Sequence, residues 1–200
     1  MEAVTIANAE TGIGRDLITA GTLLTSEPDK SLQKALQLAN GKALALKDLR
    51  QTFYDRICMP YSPCYLPPYE HVFRAMERQD GVCHFPPPRH DGGRDVEAFF
   101  NAFGFRREKL VLCPLLQGAH IPGDHLGFML LFVGFALQGG LVSTPEVKER
   151  LGTFIDRHFG PWVDDYCSLL PLETDSVYLA LVAQAVSESV AGARDLLSSH

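Results

Sequence analysis

The 200-residue sequence lacks an apolar run long enough to cross a bilayer: the longest, Leu126 to Leu137, falls well short of the roughly 20 residues required, and Gln138-Gly139-Gly140 ends it. Such a run is expected to be a buried core helix rather than a span. The amino terminus, Met1 to Glu10, has neither the basic start nor the apolar core of a secretory signal, so a cytoplasmic location is expected. Basic residues are the minority, 18 Lys and Arg against 24 Asp and Glu for a net charge of -6. That balance argues against nucleic acid, whose phosphates need clustered cations. The five cysteines are odd in number, scattered, and contain no Cys-x-x-Cys pair, which argues against a disulfide framework or a zinc ribbon and for a reducing compartment. Also missing are a Gly-x-Ser-x-Gly elbow, a phosphate loop, strand-like alternation and any internal repeat.

What is present is helical periodicity. Ile13, Leu17, Ala20 and Leu24 recur every three or four residues before Pro28, and the pattern resumes from Asp29 to Ala39 before an Asn40-Gly41 stop. Leu46, Leu49, Phe53 and Ile57 form a further stripe, and a helix is expected from Tyr69 to about Gln79. Val96, Phe99, Phe100 and Phe103 mark an amphipathic helix, whereas Leu110 to Leu116, broken by Pro114, suits a short extended piece. Ser143 and Glu146 have capping-box spacing ahead of a helix that buries Val147, Leu151, Phe154 and Ile155, and Gly160-Pro161 separates it from the next, opened by Trp162. A last helix runs from about Thr174 to Leu197. With 46% apolar and 21% charged residues, these elements predict one all-α domain over residues 1–200, of about nine or ten helices. Pro86-Pro87-Pro88 and Gly92-Gly93 place a hinge between two lobes at residues 80–94.

Two features carry chemistry. Asp124-His125 stands immediately before the apolar run, and Asp124 suits an N-cap of that helix. His120, Asp124 and His125 are donors that a metal-dependent enzyme would use, but Pro122 and Gly123 break the helical spacing such a ligand set needs, and no second cluster completes it. No metal, cofactor or catalytic residue is therefore expected. The other feature is the loop from Met59 to Pro68, where Pro60, Pro63, Pro67 and Pro68 exclude regular helix. Tyr54, Tyr61, Tyr65 and Tyr69 surround it and suit either a packed corner or the wall of a peptide groove.

Three segments in order, Tyr54 to Phe73, Pro122-Gly-Asp-His-Leu-Gly-Phe-Met-Leu-Leu131 and His158-Phe-Gly-Pro-Trp162, resemble the TorD/DmsD/NarJ family of redox-enzyme maturation chaperones. The resemblance covers most of the chain from about Leu49. It implies an all-helical chaperone, without catalysis, for a molybdenum- or tungsten-cofactor oxidoreductase. Such a chaperone recognises the twin-arginine signal peptide or the apoenzyme and delays export until the cofactor is inserted. The peptide-binding positions carried over are Pro122, Asp124, His125, Tyr54, Ile57, Pro67, Pro68, Tyr69 and Trp162, with Asp124 the leading contact for arginine. Some relatives exchange lobes between chains, so a monomer and a lobe-exchanged dimer both fit. Three positions depart from the family's pattern: Ile121 stands where Glu is frequent, Cys58 where Phe is, and His71 where Ser is common.

Overall fold

The computed structural model describes residues 2–118, 121–139, 144–172 and 174–198. The described residues form nine α-helices: α1 (Glu2–Thr25), α2 (Lys30–Asn40), α3 (Leu46–Phe53), α4 (Glu70–Arg74), α5 (Arg94–Ala102), α6 (Leu126–Gln138), α7 (Pro145–His158), α8 (Pro161–Leu169) and α9 (Val177–Ser198). The expected all-α class holds. The one exception among the described residues is a hairpin of two three-residue strands, β1 (Glu77–Gln79) and β2 (Val82–His84).

That hairpin shortens the helix expected from Tyr69 to Gln79. Asp80 and Gly81 both adopt positive φ, 51° and 80°, the two-residue turn whose twist matches antiparallel strands. An Asp-Gly pair is the sequence signal for such a turn, and it outweighs the helical stripe of Val72, Phe73 and Met76. Other boundaries fall close to expectation. Asp29 caps α2 by accepting from Leu32 N, and Gly41, at φ 65°, closes it. The cap of α7 is Thr144, whose side chain accepts from Val147 N; the Ser143 expected there lies outside the described residues.

The core is organised around α6. Every residue from Leu126 to Leu137 is buried except Phe135, as expected of a helix apolar on all sides. Its closest neighbour is α1, and glycines make that approach feasible. Gly14 and Gly21 on α1, and Gly127 and Gly134 on α6, each recur at seven residues and so share a face. A Cβ on Gly21 would lie 2.9 Å from the Gly127 carbonyl oxygen, and one on Gly134 would lie 2.8 Å from that of Gly14. Leu17, Ala20 and Leu24 fill the rest of the seam at zero exposure. The long helix α9 packs against α1, α7 and α8, burying Leu179, Val182, Val186, Val190, Ala193 and Leu197.

Candidate functional site

The proline-rich loop and the start of α6 are joined by their backbones. Leu126 N donates to the Pro68 carbonyl at 2.8 Å, and Glu70 N donates to the Asp124 carbonyl at 3.2 Å. Between these bonds Tyr69 and His125 face each other as an antiparallel bridge. Pro68 has no N–H to offer, so it can only accept here, and the pairing ends where α4 begins. Arg56 fixes the far side of the loop, donating to the Cys64 carbonyl at 2.7 Å and to Leu170 at 3.0 Å. It sits in a single π-helical turn, Tyr54–Cys58, that continues α3.

Asp124 does not cap its own helix, contrary to the sequence expectation. Its Oδ2 accepts from the backbone N–H of His71 at 2.8 Å and from His71 Nδ1 at 2.7 Å, so it caps the first turn of α4 across the bridge. The N-cap of α6 is His125, whose Nδ1 accepts from Gly127 N at 3.1 Å. His125 is wholly buried, and desolvation pushes its pKa down to about 3, so the imidazole is neutral. The protons on His71 can be assigned from its partners: Nε2 accepts from Arg89 N at 2.9 Å, which leaves Nδ1 as the donor to Asp124.

The third segment reaches the same place from the other side. Glu70, the first residue of α4 and only 6% exposed, accepts from His158 Nδ1 at 2.8 Å and pairs with Arg74 at 2.6 Å. Trp162 donates from Nε1 to the His158 carbonyl at 2.8 Å and packs its ring 5.6 Å from that of Phe73. The short helix α4 is thus the meeting point of all three segments.

A cleft of about 330 Å³ opens on this knot, with Glu70, His71, Asp124 and His158 among its lining residues. Along its rim run carboxylates and guanidiniums already paired with each other: Arg74 with Glu70, Arg157 with Asp95, and Arg89 with Asp91. Gly92 and Gly93 pass over the Asp124–His71 pair. A Cβ on Gly93, at φ 75°, would stand 2.4 Å from Asp124 N, and one on Gly92 would stand 2.4 Å from the His71 ring. The Pro/Gly-rich segment expected to be a hinge therefore carries a hairpin and then lies against the motif residues.

Two buried polar atoms of the cleft residues, Asp124 Oδ1 and His158 Nε2, have no hydrogen-bond partner in the structure. Of the two, Asp124 Oδ1 is a carboxylate oxygen and can only accept. A cleft whose wall keeps an unsatisfied carboxylate oxygen suits a donor-rich, cationic group.

The sequence model of the family described as nitrate reductase delta subunit matches residues 24–168. No curated protein and no solved structure matches the chain. The chain belongs to the nitrate reductase delta subunit family. This is the NarJ/TorD-like family of redox-enzyme maturation chaperones that the three segments resemble.

In this delta-family chain the residues carried over from the resemblance occupy different settings. Asp124 lines the cleft, whereas His125 caps α6, Pro122, Pro67 and Pro68 are buried, and Ile57, Tyr69 and Trp162 are at most 5% exposed. Tyr54 is half-buried and donates its hydroxyl to Glu27; that bond and burial both push its pKa upward. Of the loop tyrosines Tyr61 alone stands fully out, at 96% exposure. Ile121 is buried in the core, and the acid nearby is Glu97, which holds Arg107 at 2.8 Å while Arg107 donates to the Ile121 carbonyl at 2.7 Å. Of the alternative metal set, His120 lies outside the described residues, and no group of three His, Cys, Asp or Glu among the described residues is placed to hold an ion. Sequence reading did not single out Glu70 and His158 as site residues. The available signal was a charged residue directly after Pro-Pro-Tyr, with Arg74 four positions on.

Proposed function

We propose that this chain is a cytoplasmic, non-catalytic chaperone that binds the twin-arginine signal peptide, or the apo form, of a molybdenum- or tungsten-cofactor oxidoreductase before export. Family membership supports the chaperone role. The observation that carries the peptide reading is the unpartnered carboxylate oxygen Asp124 Oδ1, in a cleft whose other carboxylates already hold guanidiniums of this chain. An incoming arginine would take the free Asp124 oxygen while Oδ2 stays on His71, and it would exchange with Arg74 or Arg157 along the rim. No helix among the described residues is long and apolar enough to cross a membrane, in keeping with a chaperone that meets its client before translocation.

Because His125 holds the cap of α6, replacing it together with Asp124 would test the fold as much as the contact. The sharper test is Asp124→Asn alone, titrated calorimetrically against a twin-arginine peptide and its twin-lysine counterpart. Losing a charged hydrogen bond should weaken the arginine peptide about tenfold or more with helicity intact, and the lysine peptide should bind the native chain less tightly because it cannot form the planar fork. Equal arginine-peptide affinity for the variant and the native chain would remove Asp124 from the contact.

A further inference from the structure

Far along α6 from this knot, the core helix surfaces once. Phe135 is 42% exposed, the one exposed residue between Leu126 and Leu137. It forms the floor of a groove of about 320 Å³ with Phe132, Phe103, Phe105 and Leu110. The rings form a continuous surface: Phe105 lies 5.6 Å from Phe132 and 6.2 Å from Phe135, and Phe103 lies 5.3 Å from Phe132. The charges at its edge are Arg106 and Lys109, both exposed, and Arg150 stands over the Phe103 ring at 5.8 Å. Among the described residues none of these three cations is in an ion pair.

In a chain of net charge -6, a groove walled by aromatics and edged by cations alone stands out. Each of the other four clefts described has at least one carboxylate in its lining. A bare apolar slot costs hydration free energy unless it is covered, and its edge charges select what covers it. We propose that this groove is a second docking surface, which takes an apolar polypeptide segment flanked by Asp or Glu, presented by a partner protein as an amphipathic helix. Its edge is opposite in sign to what a twin-arginine segment needs, so the two sites would engage different parts of a client. The groove does not depend on the reading of the cleft.

The test uses two synthetic 16-residue amphipathic helices with the same Leu/Phe stripe, one flanked by Glu and one by Lys, labelled and titrated into the full chain by fluorescence anisotropy. The Glu-flanked peptide should bind at least tenfold more tightly than the Lys-flanked one. Arg106→Glu with Lys109→Glu, both surface changes, should invert that preference. Phe135→Ser should abolish binding of the Glu-flanked peptide, and Asp124→Asn should leave it unchanged. Equal affinity for both peptides, no binding of either at millimolar concentration, or an unaltered preference in the double variant would each overturn the proposal. So would a dimer in sedimentation that Phe135→Ser dissolves, since a second copy would then be the occupant. Loss of twin-arginine binding in Asp124→Asn bears on the cleft alone.

Discussion

Helix α6 is held by opposite means along its side and at its beginning. Against α1 the contact is shape alone: four glycines bring two backbones together, and no ion pair crosses the seam among the described residues. At Asp124 and His125 the contact is a set of polar bonds among α4, the α6 start and the end of α7, almost all of it buried. Shape tolerates no addition, and a buried polar set tolerates no subtraction. The seam leaves no buried side-chain polar atom unsatisfied among the described residues, whereas the knot leaves Asp124 Oδ1, His125 Nε2 and His158 Nε2 without partners, the polar atoms a ligand would use.

The largest effect should come from subtraction at the knot. Glu70→Ala strips both His158 and Arg74 of a partner, and losing the buried hydrogen bond from His158 to a carboxylate costs about 1.5–3 kcal/mol before the exposed Arg74 pair is counted. Urea denaturation of the variant should report a loss in that range, and a loss below about 1 kcal/mol, the worth of an exposed pair, would place the pair on the surface in energetic terms. Addition at the seam ranks next. Gly21→Ala would set a Cβ 2.8 Å from Leu131 Cγ as well as 2.9 Å from the Gly127 carbonyl, and overpacking of that kind costs about 1–3 kcal/mol. Gly12 on the same helix has nothing within 4 Å of its would-be Cβ. Gly12→Ala should therefore gain up to about 1 kcal/mol from helix propensity. Opposite signs in thermal melts of the two variants are the expected outcome, and equal signs would dissolve the seam as a special contact.

Acid should separate the two regions without any change of shape. Burial lowers His125 from its ordinary 6.5 to about 3, so the unfolded chain takes up a proton at this site that the folded chain refuses. The stability tied to His125 is complete above pH 6.5 and is lost as pH falls towards about 3, at up to about 1.4 kcal/mol per pH unit. In His125→Asn, which keeps a capping acceptor, stability between pH 6.5 and 4.5 should fall less steeply than in the native chain. Parallel pH curves for the two would contradict the burial of a neutral imidazole.

These regions also differed in how far the sequence disclosed them. The stripe Leu17, Ala20 and Leu24, the twelve-residue apolar run and the Gly41 stop encode local geometry, and each appears where periodicity put it. The resemblance brought together three segments whose adjacency only the tertiary structure can display. What periodicity alone could not disclose is exchange between segments: Asp124 has the chemistry of a cap, but the helix it caps begins at Glu70, 54 positions earlier. Likewise, nothing local to Gly92-Gly93 discloses that their missing side chains make room for His71 and Asp124. The Asp80-Gly81 pair is a local turn signal present in the sequence, and it cuts short the helix expected to run to Gln79.

The Gly92-Gly93 strap permits the smallest and most specific test. Gly92 lies outside the positive-φ glycines, so the bar to a side chain there is the His71 ring, 2.4 Å from the would-be Cβ. Gly92→Ala in the native chain should displace that ring and disturb its bonds to Asp124 and Arg89 N, at a cost of about 1–3 kcal/mol. His71→Ser keeps the backbone N–H on Asp124 Oδ2 and offers a hydroxyl in place of Nδ1, so it should cost only about 1 kcal/mol. With the ring gone, Gly92→Ala should become nearly neutral, and a double-mutant cycle should return a coupling of about 1 kcal/mol or more. Additive losses would mean that the strap is held by Gly93 against Asp124 alone. A large coupling would mean that the His71 ring is what fits this strap to this cleft.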